Sequence, residues 1–235
     1  MKAGSSHARS VDERWDERNG LLAELEASGY LTDPRLEEAM LAVPRHVFLP
    51  DELQEEAYAD HPLPVGHGQT VSAPHMVAMM TSALQVKQGD NVLEIGTGVG
   101  YHAGVVKAMV GSEGTVVSIE FVKELSQRAQ VNLKTAGQDV IVLNRDGATG
   151  APEYAPFDAV YVTCAIPEIP DALVRQLKDG GHFIAPIGVT KCQLKAGRKI
   201  DGRLLLEDLG PCLFVNAQGE LGTGDDDSGV LQPAP

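Results

Sequence analysis

The chain has 235 residues, with 33 Asp+Glu against 19 Lys+Arg and a net charge of −14. At 43% apolar and 22% charged it has the composition of a folded chain able to bury a sizeable core, not that of a disordered one. The acidic balance weighs against charge-driven nucleic-acid binding, and no apolar run approaches the ~20 residues of a membrane span.

The acidity is uneven: residues 21–60 carry ten acids against two bases, whereas 61–215 come to only −2. Residues 11–29 read as a helix with Leu21, Leu22 and Leu25 on one face and Gly29 as its stop. Asp33-Pro34 reads as the start of a second, because Asp caps and Pro suits the first turn. Pro44, Pro50, Pro62 and Pro64 then punctuate a loop-rich region, and Ser72-Ala73-Pro74 opens a third helix. From Gly89 the pattern changes. Residues 91–95, 115–120, 140–144, 158–164 and 182–187 read as buried strands, with helices around 100–110, 122–136 and 170–178. That alternation predicts a doubly wound α/β fold, a mostly parallel sheet with helices on both faces. Residues 203–209 and 211–215 read as two more strands, the basic segment 191–203 as a solvated hairpin, and 216–235 as an acidic, flexible tail. The expected organisation is a helical extension over 1–60, the α/β domain over 61–215, and that tail.

The chemistry concentrates at strand ends. Glu94-Ile95-Gly96-Thr97-Gly98-Val99-Gly100 closes the first buried strand with a glycine turn that lets a ligand press on bare backbone. Tyr101 is too large for a dinucleotide fingerprint, and Glu94 would repel phosphate, so the turn favours S-adenosylmethionine over a nicotinamide cofactor. Glu120 ends the second strand, where an acid accepts ribose hydroxyls, and Asp146-Gly147 follows the third, placed to meet adenine. His61, His67 and His75 lack the spacing and acidic partners of a metal site, so none is expected. Cys164, Cys192 and Cys212 are odd in number and far apart in sequence, which fits a reducing compartment. The N-terminus has no apolar stretch of the secretory type, so a cytoplasmic chain is expected.

The segments VPRHVFLP (43–50), AYADHPLPVGHGQTVSAPHMVAMM (57–80), VLEIGTGVGYHAG (92–104), RDGATG (145–150) and APFDAVYVTCAIPEIPDAL (155–173) together resemble the protein-L-isoaspartate (D-aspartate) O-methyltransferase family. LPVGHGQTVSAPHM is the distinctive block. The resemblance implies a Rossmann-like methyltransferase that moves the methyl of S-adenosylmethionine onto the carboxylate of L-isoaspartyl or D-aspartyl residues, leaving S-adenosylhomocysteine. It places Ser72, with Thr70, at the acceptor carboxylate; Glu94, Gly96, Gly98 and Gly100 at the methionine end; Glu120 at the ribose; Asp146 and Gly147 at the adenine. It implies a peptide or protein carboxylate as acceptor, no nucleic acid or membrane partner, and a monomer. A helix N-cap is the alternative role for Ser72. The chain departs from the family pattern at Val99, commonly Ser, at Arg145, commonly Gly, and at Asn216-Ala217, commonly Pro-Leu. Those departures leave open a relative that methylates one specific partner, and a non-catalytic module that only binds the donor.

Overall fold

The computed structural model describes residues 14–189 and 191–222. Two helices open it, α1 (Trp15–Ala27) and α2 (Pro34–Ala42), with Asp33 capping the second by accepting from the Arg35 N–H. A small hairpin, β1 (Leu63–Gly66) and β2 (Gln69–Val71), leads into α3 (Pro74–Leu84). The alternating region follows as β3 (Asn91–Ile95), α4 (Tyr101–Val110), β4 (Thr115–Glu120), α5 (Lys123–Thr135) and β5 (Ile141–Asn144). It continues through β6 (Phe157–Val162), α6 (Asp171–Gln176), β7 (Leu177–Ile187), β8 (Cys192–Ile200) and β9 (Arg203–Cys212).

Seven strands make one sheet in the order β5-β4-β3-β6-β7-β8-β9, parallel up to β7 and antiparallel beyond it. The chain winds outward one way from β3 through β4 and β5, and the other way from β6. The gap between β3 and β6 is therefore a switch point, where ligands settle in doubly wound sheets.

Strand pleating sorts the side chains. Val92, Val116 and Ala159 face one layer with α1 to α5, while Leu93, Val117, Val160 and Phe183 face the other with Leu173 of α6. Leu21, Leu25 and Leu36 of the first two helices join the same cluster as Val105 and Val106 of α4, so residues 15–60 share the core of the α/β unit. Phe157 is fully buried in the opposite layer.

The sheet's far edge differs from the sequence expectation. Residues 192–200, expected as a solvated hairpin, form a full strand, and 203–212 is one strand where two were expected. The cause is the Asp201-Gly202 turn, with φ of 49° and 76°, a two-residue connection that matches strand twist. Lys195 pairs with Asp208 at 3.2 Å, and Lys199 donates to the Val174 and Leu177 carbonyls. Lys195, Arg198 and Lys199 are thus tied to neighbouring strands and loops. Cys192 and Cys212, distant in sequence, are direct cross-strand partners and both free thiols.

Candidate active site

Two cavities open at the carboxyl ends of the central strands and share Gly96. The first, about 410 Å³, is bounded by Ile119, Glu120, Phe121, Gly147 and Cys164, with Gln69 of β2 over it. The second, about 340 Å³, is bounded by Thr70, Ser72, Gly98, Tyr101 and Thr163. Neither has a Lys or Arg in its lining, so neither suits a pyrophosphate.

The glycine turn is required by its surroundings. Gly96 has φ 97°, and a Cβ there would collide with Thr163 Oγ1. Gly100 brings α4 against α5, its missing Cβ lying 3.0 Å from Leu133 Cγ. Gly98, at φ 55°, has open space where its side chain would be, and its N–H points to Glu120.

Glu120 is 6% exposed and accepts from the Gly98 N–H at 2.7 Å and the Val122 N–H at 2.8 Å. Burial raises its pKa, opposed by those backbone donors. An acid held this way, two walls of apolar side chains and a bare glycine backbone fit a nucleoside bearing free hydroxyls. Phe121, half-exposed at the rim beside Gly147, offers a face for the base and was missed in the sequence, where it follows the strand without any special spacing.

The remaining expected donor residues sit differently. Asp146 lies beside the first cavity with both oxygens engaged: Oδ1 accepts from Ala148 N at 2.8 Å and Oδ2 from Glu220 N at 2.6 Å. The second bond belongs to a short helical turn, Gly219–Leu221, in a segment expected to be tail. Residues 216–222 instead lie on the sheet: Ala165 N donates to Val215 O and Ala217 N to Ala165 O, each at 2.8 Å. Asn216, Ala217 and Leu221 thereby become part of the first cavity's wall. Residues 223–235 fall outside the described part. Arg145 pairs with Glu153 at 2.7 Å and does not enter the cavity lining.

Glu94 is fully buried and borders neither cavity. It stands in register between Ser118 of β4 and Tyr161 of β6, so one polar residue from each of three adjacent strands points to the same layer. The Ser118 hydroxyl donates to Glu94 and is itself bonded to Thr97 of the glycine turn. Burial pushes the Glu94 carboxyl up to about 7, and burial with the neighbouring carboxylate holds the Tyr161 hydroxyl well above its usual range. His102, stacked near Tyr161 and bonded to Thr81 at 3.0 Å, is driven by burial down to about 3 and stays neutral.

On the acceptor side, Ser72 does not cap α3. Ala73 holds the N-cap position, and the first-turn donor His75 N–H bonds to Asp60 Oδ1 at 2.8 Å. The Ser72 hydroxyl makes no hydrogen bond to a described residue and borders the second cavity, as does the exposed Thr70. Asp60→Ala removes the cap and is expected to lower stability by about 1 kcal/mol, read as a reduced urea midpoint at unchanged slope. His61 pairs with Glu56 at 3.3 Å, His67 turns the β1–β2 hairpin at φ 55°, and among the described residues no cluster suits a metal.

A parallel sheet with a glycine turn at its switch point, an acid ending the next strand and a phosphate-averse cavity define the S-adenosylmethionine-dependent methyltransferase fold. Within that class the family model for Protein-L-isoaspartate(D-aspartate) O-methyltransferase matches residues 16–222, and the chain belongs to this family. A protein-L-isoaspartate O-methyltransferase of Methanococcus aeolicus is 46% identical over 196 residues, 83% of this chain and 91% of the relative. One of Methanopyrus kandleri is 44% identical over 215 residues, covering 90% and 95%. Among solved structures, a protein-L-isoaspartate O-methyltransferase superposes with a TM-score of 0.81 at 32% identity, over 87% of this chain and 67% of that one. A Plasmodium falciparum chain described under the same enzyme name, in complex with S-adenosyl-L-homocysteine, gives 0.76 at 25% identity, over 86% and 98%.

Proposed function

We propose that this chain transfers the methyl group of S-adenosylmethionine to the free carboxylate of L-isoaspartyl residues (the α-carboxylate) or D-aspartyl residues (the side-chain carboxylate) in damaged peptides and proteins, acting as a cytoplasmic monomer. The observation that carries this is the meeting at Gly96 of the cavity bounded by Glu120, Phe121 and Gly147 with one walled by Thr70 and the uncommitted Ser72. When bound, S-adenosylmethionine supplies an electrophilic methyl on a sulfonium. Glu120 would hold its ribose, Gly96 and Gly98 its methionine end, and Phe121 and Gly147 its adenine. Glu94 would act from behind, fixing the turn through Ser118 and Thr97.

A carboxylate has a pKa near ~4 and is already the nucleophile at neutral pH, so no general base is needed. The protein's task is alignment and exclusion of water. Ser72 and Thr70 supply hydroxyl donors that orient one carboxylate oxygen toward the shared Gly96 wall. The neutral His102 behind them takes no proton.

With labelled methyl donor, an isoaspartyl peptide is expected to gain a base-labile methyl ester while its aspartyl counterpart does not. Donor binding without that ester would refute the assignment. Ser72→Ala should lower kcat/KM about 10- to 100-fold, the range for losing one hydrogen bond to a charged group. Light scattering at one-chain mass checks the monomer.

A further inference from the structure

Arg45 is the largest fully buried side chain among the described residues, at 0% exposure. Its Nη1 donates to the Ala57 and Ala59 carbonyls at 2.9 and 3.4 Å, and its Nη2 to the His61 and Ser72 carbonyls at 3.1 and 3.2 Å. Every acceptor is a neutral backbone oxygen, and no described carboxylate forms an ion pair with it. Asp60, the acid of the same loop, is committed to the His75 backbone and ring at 2.8 and 2.9 Å.

A guanidinium stays charged in proteins, and burying it without a contact counter-ion carries a desolvation cost that hydrogen bonds to carbonyls offset only in part. The four carbonyls solvate the cation, and Asp60 acts on it through space without pairing with it, so no contact ion pair neutralises it. That charge stands directly behind Ser72, which with Tyr101 walls the second cavity. The same cavity has no Lys or Arg of its own, and its one histidine, His102, is neutral. Yet the acceptor assigned to it is an anion.

We propose that Arg45 is the positioning residue of the acceptor site: it fixes the Ser72 main chain through the carbonyl and supplies the positive charge that retains the acceptor carboxylate. The inference rests on the isoaspartyl assignment and is separable from it by experiment.

The donor's sulfonium is also cationic, so the test fills the donor cavity with S-adenosylhomocysteine, whose thioether is neutral. Binding of an isoaspartyl peptide is then compared with that of the same peptide carrying an α-carboxamide. The unmodified protein is expected to prefer the carboxylate by about 10-fold or more. Absence of a preference overturns the proposal without any variant. Arg45→Met is expected to abolish the preference while S-adenosylhomocysteine affinity stays within about two-fold, since no donor-cavity residue is touched. A preserved preference in that variant overturns it. Arg45→Lys keeps the charge but not the four-way fork, so the acceptor KM should rise about 10-fold with little change in kcat. An unchanged KM, or donor and acceptor affinity falling together, reduces Arg45 to a scaffold residue and overturns the proposal. Failure of the unmodified protein to methylate any isoaspartyl peptide instead refutes the functional assignment.

Discussion

Glu120→Ala is expected to weaken S-adenosyl-L-homocysteine binding about 100-fold, the loss of two hydrogen bonds to a buried carboxylate. In the ligand-free chain both oxygens accept backbone N–H groups, from Gly98 and Val122. Those bonds fix the carboxylate at the cavity wall and oppose burial, which still leaves its pKa raised. Bound ribose hydroxyls would use the remaining lone pairs. Glu120→Gln is no gentler, because an amide presents an N–H₂ where Gly98 or Val122 already presents an N–H. Calorimetric titration reads the affinity directly. At a fixed saturating ligand concentration, the stabilisation that ligand gives against unfolding should fall by about 2.7 kcal/mol. Unchanged affinity would place the ribose elsewhere.

Glu94→Gln acts on stability, and its sign depends on pH. The folded chain holds the Glu94 proton to about pH 7 against an ordinary value of 4.5. The native state therefore binds more protons than the unfolded state across that window. Stability from this group is fully present below about pH 4.5 and is lost as pH rises through about 7, by roughly 3 kcal/mol. Gln mimics the neutral acid and removes the slope. Urea unfolding should find the variant close to the parent at pH 4.5 and more stable by up to ~3 kcal/mol at pH 8. A parent whose stability does not fall between those values would show that Ser118 and Tyr161 keep the carboxylate charged.

The parallel half of the sheet was legible because its central strands β3, β4 and β6 are buried on both faces and its strands read as short apolar runs between helices. The hairpin β8–β9 was harder to read. Cys192, Leu194 and Ala196 alternate inward, but Gln193 and Lys195 between them and Arg198 and Lys199 beyond look like a solvated loop when burial is unknown. Asp201-Gly202 was the available sign. The glycine turn, Glu120 and Gly147 were legible as cavity-lining residues because each occupies a strand end of one crevice, and topology brings such ends together. Glu94 shows the limit of that logic. Position alone puts it at the ligand, whereas the two-residue period of β3 turns it into the helix-covered layer, one residue behind the wall made by Gly96. Arg45 and Asp60 lie in a stretch whose many prolines mark it as loop, and no periodicity tells which loop residues point inward. The docking of 216–222 was hidden for a different reason. Its Gly, Asn and Gln content is that of a tail, and it is held by backbone bonds of Val215 and Ala217 to Ala165, one bond to Asp146, and the burial of Leu221.

The sheet ends on β9, ten residues long and paired on one side only, with Leu205 and Leu209 exposed along it. Such a border invites another chain to add itself as the next strand, the first step toward aggregates. This border is spoiled in three ways. Pro211 has no N–H to offer, a register irregularity between Gln193 and Lys195 breaks the regular ladder of β8 and β9, and Glu207-Asp208 set two negative charges mid-strand. An enzyme that acts on peptide and protein chains brings polypeptide up to its own surface. A border that refuses to pair lets it handle such chains without being seeded by them.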